Sequence, residues 1–159
     1  MRVGIGWDVH ELVEERELWL GCIHFVEAPL GLIGHSDADV VSHAVVDALL
    51  GAASLGDIGD HFPAEEPKYQ NYPGAKFLEE VRDMVKKAGF TIGNVDVTIM
   101  SDAVRMGERK TLMAEAMASH LGVEPIRVNV KATTWESRGA VGRGEIIACE
   151  AIALLEGGK

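Results

Sequence analysis

Residues 2–10 read Arg-Val-Gly-Ile-Gly-Trp-Asp-Val-His, and no other stretch constrains the fold as tightly. Val3, Ile5, Trp7 and Val9 fall on one side of a period-two pattern; Arg2, Gly4, Gly6, Asp8 and His10 fall on the other. Period two marks a strand, because successive side chains point to opposite faces. Asp8 and His10 therefore project side by side from one face, where the two glycines leave room. A carboxylate and an imidazole held in this way are two donors, and a catalytic zinc takes about three protein ligands with one position open. A third ligand has to come from elsewhere in the chain.

The next polar loop, Gly34-His35-Ser36-Asp37-Ala38-Asp39, opens a helix predicted over 37–54, with Ser36 and Asp39 spaced as a capping box. Val40, Val41, Ala44, Val45, Ala48 and Leu49 form its apolar stripe. Ser36, Asp39, His43 and Asp47 share another face. Asp8, His10 and His43 thus supply one oxygen and two nitrogens, a set that suits zinc. The same residues also suit a hydrogen-bonded surface pair and an unrelated helix histidine, so taken alone they leave both readings open. His35 and Asp47 are either orienting partners of such ligands or solvated side chains.

Leu18-Trp19-Leu20 and Ile23-His24-Phe25 read as a hairpin around Gly21-Cys22. A long loop over 55–73, punctuated by Gly56 and Gly59, carries few apolar residues and reads as functional or mobile. Helices are predicted over 74–88 and 108–121, the latter with Leu112, Met113, Ala116 and Met117 inward. Strands are predicted at Val95 to Ser101, at Ile126 to Ala132, and over 145–155. The pattern predicts an α+β fold, a two-layer α/β sandwich whose small mixed sheet carries its helices on one face. At 159 residues the chain suits a single domain over 1–159.

Two further stretches bear chemistry. Lys131-Ala132-Thr133-Thr134-Trp135-Glu136 offers hydroxyls, amides and a carboxylate at a strand end, which suits a phosphate with its magnesium or equally an exposed Thr-rich strand end. Residues 139–145, Gly-Ala-Val-Gly-Arg-Gly-Glu, read more simply as a tight turn in which Arg143 and Glu145 pair than as an anion cradle. A net charge of −10 argues against nucleic acid and against an anionic membrane surface as partners. No apolar run reaches the roughly 18 residues of a membrane span. No signal peptide is visible, and Cys22 and Cys149 lie far apart in apolar stretches as expected of buried free thiols, so a cytoplasmic location is expected.

Taken together, these stretches resemble the 2-C-methyl-D-erythritol 2,4-cyclodiphosphate synthase family. The matching segments are Arg2-x-Gly4-x-Gly6-x-Asp8-x-His10 and His35-Ser36-Asp37-Ala38-Asp39-x-x-x-His43-Ala44-x-x-Asp47-Ala48-Leu49-x-Gly51-Ala52. They continue through Leu55-Gly56-Asp57-Ile58-Gly59, Phe62-Pro63, Gly93-Asn94-Val95-Asp96-Val97-Thr98, Asn129-Val130-Lys131-Ala132-Thr133-Thr134, Gly142-Arg143-Gly144-Glu145 and Ala148-Cys149-Glu150-Ala151. Any one segment is only suggestive; the ordered set, spread over nearly the whole chain, is specific.

The resemblance implies a homotrimer with active sites between subunits. It implies zinc on Asp8, His10 and His43, and a magnesium or manganese ion on Glu136. The substrate would be a cytidine diphosphate ester of methylerythritol 2-phosphate, closed to a cyclic diphosphate with loss of cytidine monophosphate. Thr134, His35 and Glu136 would be the catalytic residues. Asp8, His10, His35 and Ser36, with Asp57 and Gly59 of the loop, would hold the methylerythritol phosphate side. Thr134 would contact the diphosphate, Ser101, Arg105, Met106, Ala132 and Thr133 would frame the cytidine side from the neighbouring subunit, and Arg143 would complete the binding set. Four positions depart from the family pattern: Val104-Arg105 stands where Pro-Lys is common, Ala64 for Asp, Ala140 for Phe, and Trp135 for a small polar residue. Two other readings use the same residues: a zinc phosphoesterase acting on another diphosphate, and a non-catalytic protein that binds isoprenoid diphosphates.

Overall fold

A computed structural model describes residues 1–157. The chain runs through strands β1 (Arg2–Val13), β2 (Trp19–Leu20), β3 (Ile23–His24) and β4 (Gly31–Leu32) before helix α1 (Val40–Ala53). The short helix α2 (Ile58–His61) and helix α3 (Gly74–Lys87) precede strand β5 (Phe90–Met100). Helix α4 (Arg109–Leu121), strand β6 (Val128–Thr133), the one-turn helix α5 (Gly139–Gly142) and strand β7 (Ile146–Gly157) complete it. Five strands form one mixed sheet in the order β4-β1-β7-β5-β6, in which only β5 and β6 pair in parallel. β2 and β3 form the expected hairpin.

The glycine side of β1, not its apolar side, meets the helices. A Cβ at Gly4 would lie 2.1 Å from the Ala48 carbonyl oxygen, and one at Gly6 would lie 2.0 Å from that of Ala44. Helix α1 therefore rests directly on the β1 backbone, a close approach open only to glycine beneath a run of alanines. On the opposite side of the sheet Val3, Ile5, Trp7, Val9 and Ile152 stand 43–67% exposed. Together they form an apolar surface over which none of the described residues is laid.

α1 is buried almost all round, with α3 packed on its outer side, so the expected polar face is enclosed. Its polar members are satisfied by hydrogen bonds. The expected capping box of Ser36 with Asp39 does not form. Asp39 is itself the N-cap, and its carboxylate accepts from the amides of Gly21, Cys22, Val41 and Ser42 and from the Ser42 hydroxyl, at 2.6–3.1 Å. Those five donors fix the helix start to the β2–β3 hairpin and release the Ser36 hydroxyl for other work.

Some expectations shift. The 55–73 loop contains α2, closed by a capping box between Asp57 and Asp60. Phe62 and Tyr69 of that loop pack against Phe77 of α3. Leu112 is exposed rather than inward, while Met113 and Met117 are core. Ile126 lies in a 3-10 turn over Pro125–Arg127, because Pro125 has no N–H for a strand ladder, and β6 begins only at Val128. Among the described residues, no helix is long and apolar enough to cross a membrane.

Candidate functional site

Asp8 and His10 leave β1 on the helix side, and His43 reaches them from the first turn of α1. Asp8 Oδ2 stands 3.0 Å from His10 Nε2 and 3.0 Å from His43 Nδ1, and the two ring nitrogens are 3.4 Å apart. The outer nitrogens are held as well. His10 Nδ1 lies 2.7 Å from the Ile33 carbonyl oxygen, and His43 Nε2 lies 3.1 Å from Ser36 Oγ. A carbonyl only accepts, so His10 carries its proton on Nδ1 and turns the Nε2 lone pair to the cluster. Ser36 Oγ receives the Ala38 amide at 3.1 Å and keeps a lone pair for a proton on His43 Nε2. With those tautomers, three electron-rich atoms face one another, an arrangement that repels unless a proton or a cation lies among them.

The spacing fits a cation. Donor atoms about 2.0–2.2 Å from a tetrahedral ion stand roughly 3.4 Å from one another. The donor atoms of Asp8, His10 and His43 all lie within 4.8 Å of one another. Where ring protons rather than a cation fill the gap, burial still acts to raise the Asp8 carboxyl, but hydrogen bonds from His10 and His43 outweigh it and bring the pKa down to about 2. Burial pulls His43 down, yet its bond to Asp8 and the charges of Asp8, Asp39 and Asp37 leave it raised. The site therefore concentrates negative potential on a histidine already placed to share a positive charge.

A cavity of 260 Å³ opens beside the cluster, lined among others by Trp7, His35, Ser36, Ile58, Gly59 and Phe62. Asp47 anchors its far wall by accepting the Ile58 amide at 2.8 Å, which places α2 and Gly59 over the opening. Asp57 does not line the cavity itself; it caps α2. His35 sits at the mouth, exposed, with Nε2 3.3 Å from the Glu66 carbonyl.

The other expected site residues lie elsewhere. Arg105 and Met106 line a separate 550 Å³ cavity with Phe25, Glu27 and Pro29. Ser101 is buried at the end of β5, its amide donating to the Thr133 carbonyl at 3.1 Å. Ala132, Thr133, Thr134 and Glu136 are exposed at and beyond the end of β6, where Thr134 Oγ1 donates to Glu136 Oε1 at 2.7 Å. Arg143 forms a two-pronged pair with Glu145 at 2.6 and 3.0 Å, the simple turn expected from its spacing. None of these residues lines the cavity beside the Asp-His-His cluster. Within one chain the expected site residues fall in two separate places.

Sequence reasoning missed Arg16. It donates to the carbonyls of Leu32, Gly34 and Ser36 at 3.1–3.3 Å and so staples the strap that presents His35 and Ser36. The one signal was a lone arginine among Glu14, Glu15 and Glu17. Cys22 is half-buried, Cys149 is buried, and both are free thiols raised chiefly by burial.

A mixed sheet backed by helices, with an Asp-His-His donor set under a glycine-bearing loop, defines a candidate metal centre of mixed α/β fold. The chain belongs to the YgbB family, whose model matches residues 1–156. It is 48% identical, over 99% of its length, to the 2-C-methyl-D-erythritol 2,4-cyclodiphosphate synthase of Desulforamulus reducens and covers 100% of that relative. It is 49% identical to a bifunctional enzyme IspD/IspF of Novosphingobium aromaticivorans but spans only 40% of that longer chain. Among solved structures, the bifunctional IspDF from Campylobacter jejuni superposes with a TM-score of 0.93 at 37% identity, covering 98% of this chain and 42% of that one.

Proposed function

We propose that the chain converts the cytidine diphosphate ester of methylerythritol 2-phosphate to 2-C-methyl-D-erythritol 2,4-cyclodiphosphate and cytidine monophosphate, as a phosphorus-oxygen lyase of the non-mevalonate isoprenoid pathway. The observation that carries this reading is the convergence of Asp8, His10 and His43 in a chain that matches a single-function synthase from end to end. A solved IspF from Plasmodium falciparum in complex with CDP, 29% identical with a TM-score of 0.85 over 99% of this chain and 97% of that one, supports the nucleotide part of the substrate.

In this reaction an oxygen of the 2-phosphate attacks the β-phosphorus. The bond from that phosphorus to the bridging oxygen breaks, and cytidine monophosphate leaves with the oxygen; no water is consumed. Nucleophile and electrophile belong to one molecule, so the protein has only to position them and to meet charge. His35 and Ser36 hold the phosphate end in the cavity, and Gly59 with the Asp57-capped α2 closes over the methylerythritol. Thr134 meets the diphosphate. Zinc on Asp8, His10 and His43, with magnesium or manganese on Glu136, would neutralise the charge that develops on the phosphates.

The same reading makes the molecule a cytoplasmic homotrimer with residues 1–159 as a single synthase domain. Two features support the trimer. None of the described residues covers the apolar outer side of β1, and Ser101, Arg105, Met106, Ala132, Thr133 and Glu136 are absent from the metal-side cavity of their own chain. Phosphorus NMR of the protein with the cytidine diphosphate ester and magnesium, with zinc added or chelated, tests the reaction. Cyclic diphosphate that disappears on chelation supports it. Linear phosphates would make the protein a phosphoesterase, and no conversion with both metals bound would make it a binding protein.

A further inference from the structure

Asp102 follows the end of β5 and faces the turn that carries Glu136. Its Oδ2 accepts the Trp135 amide at 2.7 Å and its Oδ1 accepts the Ser137 amide at 3.1 Å. One carboxylate thus grips the backbone on both sides of Glu136. The turn needs such a grip. Glu136 and Ser137 both adopt left-handed backbone conformations, with φ of 50° and 61°, which side chains other than glycine rarely take up, still less in succession.

The clamp is fixed to the sheet. The Ser101 amide extends the β5–β6 pairing by one bond to Thr133, so Asp102 is held against the strand end from which the turn departs. From the other side α5 presses on the same turn, since a Cβ at Gly142 would lie 2.3 Å from the Ser137 carbonyl carbon. Between these supports the Glu136 carboxylate has a set direction, held by Thr134 Oγ1. An amide accepted by a carboxylate is a charge-assisted bond, stronger than a neutral one.

We infer that Asp102 is a positioning residue for the second metal ion. It clamps Trp135 and Ser137 so that Glu136 and Thr134 present their oxygens together to the substrate diphosphate. Asp102 itself touches neither substrate nor metal. The inference rests on the proposed cyclisation for its purpose, but not for its measurement.

The test uses the full chain with manganese as the ion and CDP as the phosphate partner, followed by electron paramagnetic resonance, alongside amide exchange at Trp135 and Ser137. Loss of two charge-assisted bonds in Asp102→Ala should weaken manganese binding about tenfold and speed exchange at both amides about tenfold or more. Asp102→Asn keeps one acceptor and should fall between the two. Zinc content and exchange in α1 should stay at their unsubstituted values, which a general loss of structure would not allow.

Manganese affinity that is unchanged in Asp102→Ala, or amides that stay protected, would overturn the inference, as would a parent protein that binds no manganese with CDP. A parent protein that shows the whole manganese effect but closes no ring would remove the proposed reaction and leave the positioning role standing.

Discussion

At position 6 one methyl group decides whether the sheet and its central helix can meet. The Cβ of Gly6→Ala would fall 2.0 Å from the Ala44 carbonyl oxygen and 2.6 Å from the Ala48 amide, both backbone atoms with no rotamer to give way. We expect a loss of about 3 kcal/mol or more in urea denaturation, at the upper end of overpacking. Gly51 is the control: it lies in exposed α1 backbone with open space around its Cβ position, so Gly51→Ala should gain about 0.5–1 kcal/mol. A similar contrast holds at the candidate metal centre. Ser36→Ala leaves His43 Nε2 without its partner while the donor set stays whole, and chelator competition should show metal affinity falling roughly 10–100-fold. The strand period placed Asp8 beside His10 and the helix period set His43 on a polar face, but the resemblance was needed to join the three as one donor set. The role of Ser36 as a partner of His43 was not legible, because a capping box with Asp39 explains Ser36 equally well until Asp39 is seen to cap the helix alone.

Elements carry the next level of control. The strap from β4 to α1 has almost no structure of its own, yet it presents His35 and Ser36 and supplies the Ile33 carbonyl that sets the His10 tautomer. Arg16 holds its near side through three carbonyls, and amide bonds from Asn71 to the His35 carbonyl and from Asp37 to the Tyr72 carbonyl hold the far side. Arg16→Lys keeps the charge but cannot span three acceptors with a planar fork. In that variant we expect cyclising activity to fall about tenfold, in line with about 1.4 kcal/mol of lost positioning, with little change in the thermal midpoint. An unchanged rate would show that the far-side bonds alone suffice. The strap was read only as a polar loop, since no periodicity describes a segment whose order comes from side chains elsewhere. The long helices were read nearly to their ends, but β5 begins at Phe90, five residues before the expected Val95, because a bulge between Ile92 and Asn94 at Gly93 breaks its alternation. Other errors also fall where a local rule broke the period, as at Pro125 before β6 and in the single turn of α5.

For the whole molecule, the proposed sharing of the site between subunits meets the open side of the sheet. Val3, Ile5 and Val9 project where none of the described residues covers them, and exposed apolar area of this kind is worth about 25 cal/mol per Å² when a partner buries it. A charge in its middle should therefore keep subunits apart without disturbing the core, which lies on the other side of β1. We expect the parent protein to sediment as the proposed trimer and Ile5→Lys as a folded monomer. That monomer should still bind metal, because Asp8, His10 and His43 all belong to one chain and Ile5 points away from them. It should close no ring, because Glu136 and Arg105 would have no neighbouring metal centre to face. Metal content, sedimentation and phosphorus NMR on one preparation separate the cases. A metal-loaded monomer without turnover is the shared site. A monomer with full turnover would mean that one chain brings its two halves together by itself, and the trimer would then have no part in the chemistry.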